Sequence, residues 1–225
     1  MGRRGAAGAL GGVVAVALVL GTLAVIGHLN PQRQLGVSTD RLGPDSGERV
    51  ADYLARARTS LDSGTDSAPD EPRWGSVSFD RELTTQQAYA IADGVRISQV
   101  IFRVPLERVQ TPILTVGVPG SERSVSNSAA RAASEVQDSF TTSSRQAQIA
   151  AVSRNRLLGG CACVVTVVVR GTQPELSEVA GRPGVRSVEA LPPDAVSGKF
   201  AVEPLLPEYV DIVAPLPDDG PVPGR

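Results

Sequence analysis

The chain opens on an uninterrupted apolar stretch. From Gly5 to Gly27 no residue carries a charge, and Val13 to Leu20 is aliphatic throughout. At 1.5 Å per residue a helix of that length spans roughly 34 Å, enough for one membrane crossing. The period then changes. Residues 28–46 are polar and broken by Pro31, Gly36, Gly43 and Pro44, which marks a linker. Val50, Tyr53, Leu54, Ala57 and Leu61 next fall on one helical face behind Asp45-Ser46-Gly47-Glu48, so the spacing predicts a helix over 47–62. Ser63 to Pro72 holds turn formers and acids without an apolar period and reads as a loop.

From Trp74 onward short apolar runs alternate with helical signals. Val77 and Phe79 alternate with polar neighbours as in a half-buried strand. Thr84 and Gln87 form a capping box for a helix that stops at Gly94, and Ile97 to Val104 is a second strand. Pro112 to Val118 predicts an edge strand, since Pro105 and Pro119 confine it. Asn127 to Leu158 is rich in Ala, Ser, Arg and Gln, with Asn127 as N-cap, a break near Thr141 to Ser144 and a stop at Gly159-Gly160. Ala162 to Arg170 is a β-branched run, Thr172 to Arg182 a short helix and Val185 to Leu191 a last strand.

Shifting the first strand–helix–strand unit by 90 residues lays Val77 on Val167 and Gly94-Val95-Arg96 on Gly184-Val185-Arg186. Two βαβ units predict an α+β fold: an N-terminal transmembrane helix, then a ferredoxin-like split-βαβ domain with a long helical insertion. The expected organisation is an anchor over 1–28, a linker with one amphipathic helix over 29–73, the folded domain over 74–192, and a tail over 193–225. The 34 residues after Leu191 contain eight prolines, four Asp and two Glu, and read as mostly extended and poor in core.

Charge narrows the function. Lys plus Arg is 22 against 24 for Asp plus Glu, so a net charge of −2 offers no field to gather nucleic acid, and none is expected as a partner. Arg3 and Arg4 precede the apolar stretch while the next basic residue is Arg33, so the positive-inside rule places the N-terminus in the cytoplasm and the rest outside. The stretch is long for a signal peptide and ends Val25-Ile26-Gly27-His28, which predicts an uncleaved single-pass anchor held in lipid by residues 5–27. A cytoplasmic stub of about four to seven residues cannot fold into an output domain, so signalling would need an envelope or membrane protein partner. Gly8 and Gly12 match the small-xxx-small spacing through which two such helices pair as a homodimer. The Arg, Ala, Val and Gly richness with a single Lys is what a GC-rich bacterial genome would encode, making the membrane a bacterial one.

Catalytic equipment is sparse. The one His, His28, adjoins the membrane stretch, and the one Lys, Lys199, lies in the proline-rich tail, so Ser-His-Asp and Ser-Lys devices have no base in the domain. Asp80 with Glu82, and Glu175 with Glu178, read as decoration of helix ends. Cys161 and Cys163 are structural or redox thiols. Taken as the start of a strand they face the same way, a poor arrangement for a disulfide, although an oxidising compartment would favour one. Tyr209, Val210, Ile212 and Val213 form an apolar stretch suited to a sheet edge or a docking partner. No cofactor or metal is expected.

The segment Val164 to Ala190 resembles the closing βαβ unit of subtilisin-propeptide-type inhibitor domains, through Glu175, Leu176, Pro183, Gly184, Val185, Ser187, Val188 and Glu189. The resemblance implies ferredoxin-like topology, which ligand-sensing domains share, and carries no inhibitory residues: Pro192-Pro193 follow the last strand where a substrate-mimicking tail would be. The reading favoured is a membrane-anchored, extracytoplasmic interaction module without catalytic activity. A small-molecule sensor acting through a membrane partner and a carboxylate-dependent envelope hydrolase are the alternatives.

Overall fold

A computed structural model describes residues 40–62, 70–139 and 143–223. The expected anchor over 5–27, with Gly8 and Gly12, lies outside the described residues; within them no helix is long and apolar enough to cross a membrane.

The chain forms an α+β domain on a five-stranded antiparallel sheet. Its strands are β2 (Arg73–Leu83), β3 (Arg96–Arg103), β4 (Ile113–Gly117), β5 (Val164–Gly171) and β6 (Val185–Ala190), in the order β4-β3-β5-β2-β6. β2 and β3 both run antiparallel to β5 and therefore parallel to each other, with β5 inserted between them. The central position of β5 explains its composition: Val164, Val165, Thr166, Val167, Val168 and Val169 are all fully buried, as a strand covered on both faces requires. At the edge, β4 buries only Leu114 and Val116.

One face carries the helices. Val77, Phe79, Val100, Phe102, Val167 and Val169 pack against α2 (Thr85–Ile91), α3 (Glu122–Ser126), α4 (Ser128–Ser139), α5 (Ser144–Leu158) and α6 (Gln173–Ala180). Local chemistry sets the helix starts. Thr84 and Gln87 close one capping box and Thr172 and Glu175 another, with the Thr172 amide donating to Glu175 Oε2 at 2.7 Å. Asn127 is placed differently from expectation: it is the C-cap of α3, whose N-cap is Ser121, and α4 begins one residue later.

The opposite face is covered largely by Leu42 and the segment after β6, contrary to the expectation of a tail poor in core. Trp74, Ile101, Val165 and Val168 are buried under Leu42, Leu191, Ala195 and Leu206, with Phe200 and Leu216 packed alongside. Trp74 stacks obliquely on Phe200, ring centres 5.7 Å apart, beneath the Arg170 guanidinium. The two-residue strands β1 (Arg41–Leu42) and β7 (Ala201–Val202) pair in parallel across this layer. Gly43 makes the approach possible: its φ is +102°, and a Cβ there would stand 1.6 Å from the Glu203 carbonyl oxygen.

Helix α1 (Val50–Asp62), expected as part of a linker, packs against β6, and its Val50, Tyr53 and Ala57 bury Leu205 and Val213 of the tail. It starts three residues later than its periodicity predicts, because residues 47–50 run as a short ladder beside 211–213. In that ladder Gly47 N donates to Val213 O, Val50 N to Asp211 O, and Val213 N to Glu48 O, all within 2.7 to 2.9 Å.

Candidate functional site

A row of openings lies where the tail crosses the loop after β3. That loop is stiffened from within. Leu106 and Val109 are buried, Thr111 Oγ1 donates to the Val104 carbonyl at 2.6 Å, and Arg156 donates to the Pro105 carbonyl at 2.8 Å. Between loop and tail sits a cavity of about 450 Å³, walled by Leu106, Val109, Leu216 and Pro217. Arg103 and Glu208 line it and form an ion pair whose arginine is 4% exposed. A buried guanidinium without a partner would be costly, so Glu208 is held to Arg103, and the tail's course with it. A smaller hollow of about 110 Å³ adjoins it, sharing Arg103 and Leu216, and a third of about 290 Å³ continues past Gln110 and Thr111 to α5.

The tail runs through this row of hollows as a strap. Asp218 accepts from the Gln110 amide and from Arg145, each at 3.0 Å, and Asp219 pairs with Arg108. Gly220 N donates to the Arg108 carbonyl at 2.7 Å, so close that a Cβ at Gly220 would meet Glu107 O at 2.5 Å. Arg108 itself takes a positive φ of 52°, an uncommon conformation for a residue with a side chain. Both aspartate carboxyls are held below their ordinary range, Asp218 chiefly by the Gln110 N–H and Asp219 chiefly by Arg108.

A second polar cluster lies under α1. The hydroxyls of Tyr53, Ser76 and Ser187 are near enough to interact, yet none closes a hydrogen bond. Burial pushes the Tyr53 phenol above its ordinary value. Glu189, 4% exposed, accepts from the Gly43 amide and pairs with Arg56; burial nonetheless raises its carboxyl above the usual range. The residues of this cluster tie α1 and β1 to the sheet and border none of the three hollows.

The residues singled out from sequence are dispersed. Tyr209 is half-buried and borders the small hollow, held by Arg186, which donates to its carbonyl. Val213 is buried against α1, whereas Val210 and Ile212 are 74% and 52% exposed. Of the paired carboxylates, Glu175 and Glu178 serve a helix end, in a capping box and in an ion pair with Arg182, whereas Asp80 and Glu82 lie within strand β2 instead, Asp80 paired with Arg81. Cys161 and Cys163 are joined in a disulfide, their Cα atoms 5.4 Å apart. Both precede β5, which starts at Val164, so the alternation expected of a strand does not apply to them. Sequence reasoning missed Arg103, Arg108, Arg145 and the Asp218-Asp219 pair. Its available signal was the acidic doublet in a proline-rich tail opposite a loop bearing arginine. Compared with protein-family models, with curated proteins and with solved structures, the chain matches none.

Proposed function

We propose that the chain is a non-catalytic binding module of the cell envelope, anchored by residues 5–27 with its folded part outside, which engages a partner protein through the cleft between the 104–112 loop and the tail. The observation that carries this reading is the row of hollows beside the strap, with apolar and proline walls, the Arg103–Glu208 pair in the first and Arg103 again in the second. A ferredoxin-like description of the domain is supported by the order β3-β5-β2-β6, in which two strand–helix–strand units interleave. The anchor is supported by the uncharged stretch and the Arg3-Arg4 flank, and the absence of catalysis by a sparse inventory of bases: the one His, His28, lies outside the described residues, and the one Lys, Lys199, lines none of the three hollows.

A photo-crosslinking residue at Glu107, on the cleft's rim, tests the reading in intact cells. A discrete adduct at Glu107 that disappears with Leu216→Asp supports it, whereas the same adducts from a probe at Glu178 on α6 would refute it. A reporter active only outside the cytoplasm, fused after Arg225, tests the topology, and an inactive fusion overturns it. The sensor reading is favoured by one observation: about 450 Å³ falls in the range of small-molecule sites, roughly 300 to 1,000 Å³. Thermal stabilisation of the full chain by a small molecule, abolished by Val109→Trp, would select it.

A further inference from the structure

The Cys161–Cys163 disulfide contributes little to holding the fold. It closes a ring across a single intervening residue, and the entropy a cross-link removes from the unfolded chain grows with the length of the loop it closes. Nor does it join two elements, since both cysteines lie between α5 and β5. That segment is already fastened by backbone bonds: Cys161 N to Arg156 O at 3.1 Å, Cys163 N to Leu83 O at 3.0 Å, and Arg103 N to Cys163 O at 2.8 Å.

The two sulfurs are not equivalent. Cys163 is 0% exposed in the helix-side core, whereas Cys161 is half-buried between exposed Gly160 and Ala162. Cys161 packs against the edge of the same core, so of the two it is the cysteine nearer to solvent and to an incoming thiolate. The chain has no third cysteine, so the pair can exchange only with thiols from outside it.

We propose that Cys161–Cys163 is a thiol–disulfide exchange site that oxidises dithiols of other envelope proteins. A thiolate of the partner attacks Cys161 Sγ, the Cys161–Cys163 bond breaks, and its electron pair leaves on Cys163 Sγ, which takes up a proton. The partner's second thiolate then attacks the partner sulfur of this mixed disulfide, releasing Cys161 as the second thiol after protonation. The partner loses two electrons and two protons, and Cys161 and Cys163 gain them. The asymmetry assigns Cys161 as the sulfur attacked and Cys163 as the leaving group, since exchange rates follow access to the attacked sulfur. The choice of envelope partners rests on the extracytoplasmic placement proposed above; the cysteines themselves line none of the three hollows, although Cys163 O accepts from the amide of Arg103, which lines two of them.

The test uses the full chain, a peptide dithiol and oxidised glutathione. The native protein is expected to oxidise about one equivalent of peptide dithiol under native conditions. Reduction with dithiothreitol is expected to free both thiols for alkylation while moving the thermal midpoint by less than about 3 °C. Cys163→Ser, which leaves Cys161 as the sole thiol, is expected to form the glutathione adduct at least tenfold faster than Cys161→Ser. A disulfide that resists dithiothreitol until the domain unfolds, a peptide dithiol left unoxidised, or equal adduct rates in the two variants would each overturn the proposal. The first two readouts use the native protein, so they decide the matter even where a serine variant fails to fold.

Discussion

Replacing Leu206 with alanine is expected to destabilise the protein severely, although it lies in a stretch of eight prolines that reads as an extended tail. The side chain is 2% exposed and packs with Trp74, Ile101, Val165 and Val168 against the face of the sheet opposite α2 to α6. Truncation there loses the transfer free energy of the removed carbons and leaves a cavity, together about 2 to 5 kcal/mol for a buried leucine. In a domain of this size each kcal/mol lowers the thermal midpoint by roughly 2 to 4 °C, so a loss near 3 kcal/mol moves it by roughly 6 to 12 °C. Urea unfolding of the full chain is a suitable assay, because the single tryptophan, Trp74, packs against Phe200 of the tail and its emission reports docking directly. Val210→Ala is the control, since that side chain is 74% exposed and its loss should stay within about 0.5 kcal/mol. Truncation after Leu191 extends the test. Leu205, Leu206 and Val213 alone contribute roughly 4.5 to 9 kcal/mol of burial, at about 1.5 to 3 each, against the roughly 5 to 15 kcal/mol of net stability of a whole domain. A Leu206→Ala loss below about 0.5 kcal/mol, or a truncated chain with unchanged Trp74 emission, would refute the tail as the second half of the core.

Gly43→Ala is expected to cost at least the 1 to 2 kcal/mol of a left-handed residue, and more because its Cβ would meet Glu203 O; chemical denaturation should show it together with loss of the β1–β7 pairing. Val167→Ala in the doubly covered central strand should cost about 2 to 3 kcal/mol, read by the same denaturation. Asp218 and Asp219 have depressed carboxyl values, so their contribution is present at neutral pH and is lost as pH falls through the ordinary aspartate range near about 4 and below it. The Asp218→Asn/Asp219→Asn variant should therefore flatten the acid limb of a stability-against-pH curve. Glu189 works in the opposite sense: its carboxyl is raised by burial, so its contribution is full below the ordinary glutamate range and is lost as pH rises through the raised value. Glu189→Gln should remove that decline in the same titration.

What could be read directly from the sequence was local. Thr84 with Gln87 and Thr172 with Glu175 satisfy the first turns of their helices from three residues away, and the valines of β5 declare a strand with both faces covered. These features depend on neighbours in the chain or on alternation, so they survive without knowledge of the fold. The two candidate sites do not. Arg103 meets Glu208 across 105 residues, Arg108 meets Asp219 across 111, and Arg56 meets Glu189 across 133. No periodicity encodes such pairings, because an ion pair needs only two charges brought together, and many pairings of the same residues are equally compatible with the sequence. The disulfide was hidden for a related reason. Two cysteines separated by one residue diverge or converge according to the backbone between them, and here β5 begins just after them. The tail's role was decided last of all, by the sheet itself. Helices α2 to α6 cover one of its faces, whereas on the other α1 lies over β6 and Trp74, Ile101, Val165 and Val168 leave apolar surface that the remaining chain, prolines included, is folded down to bury.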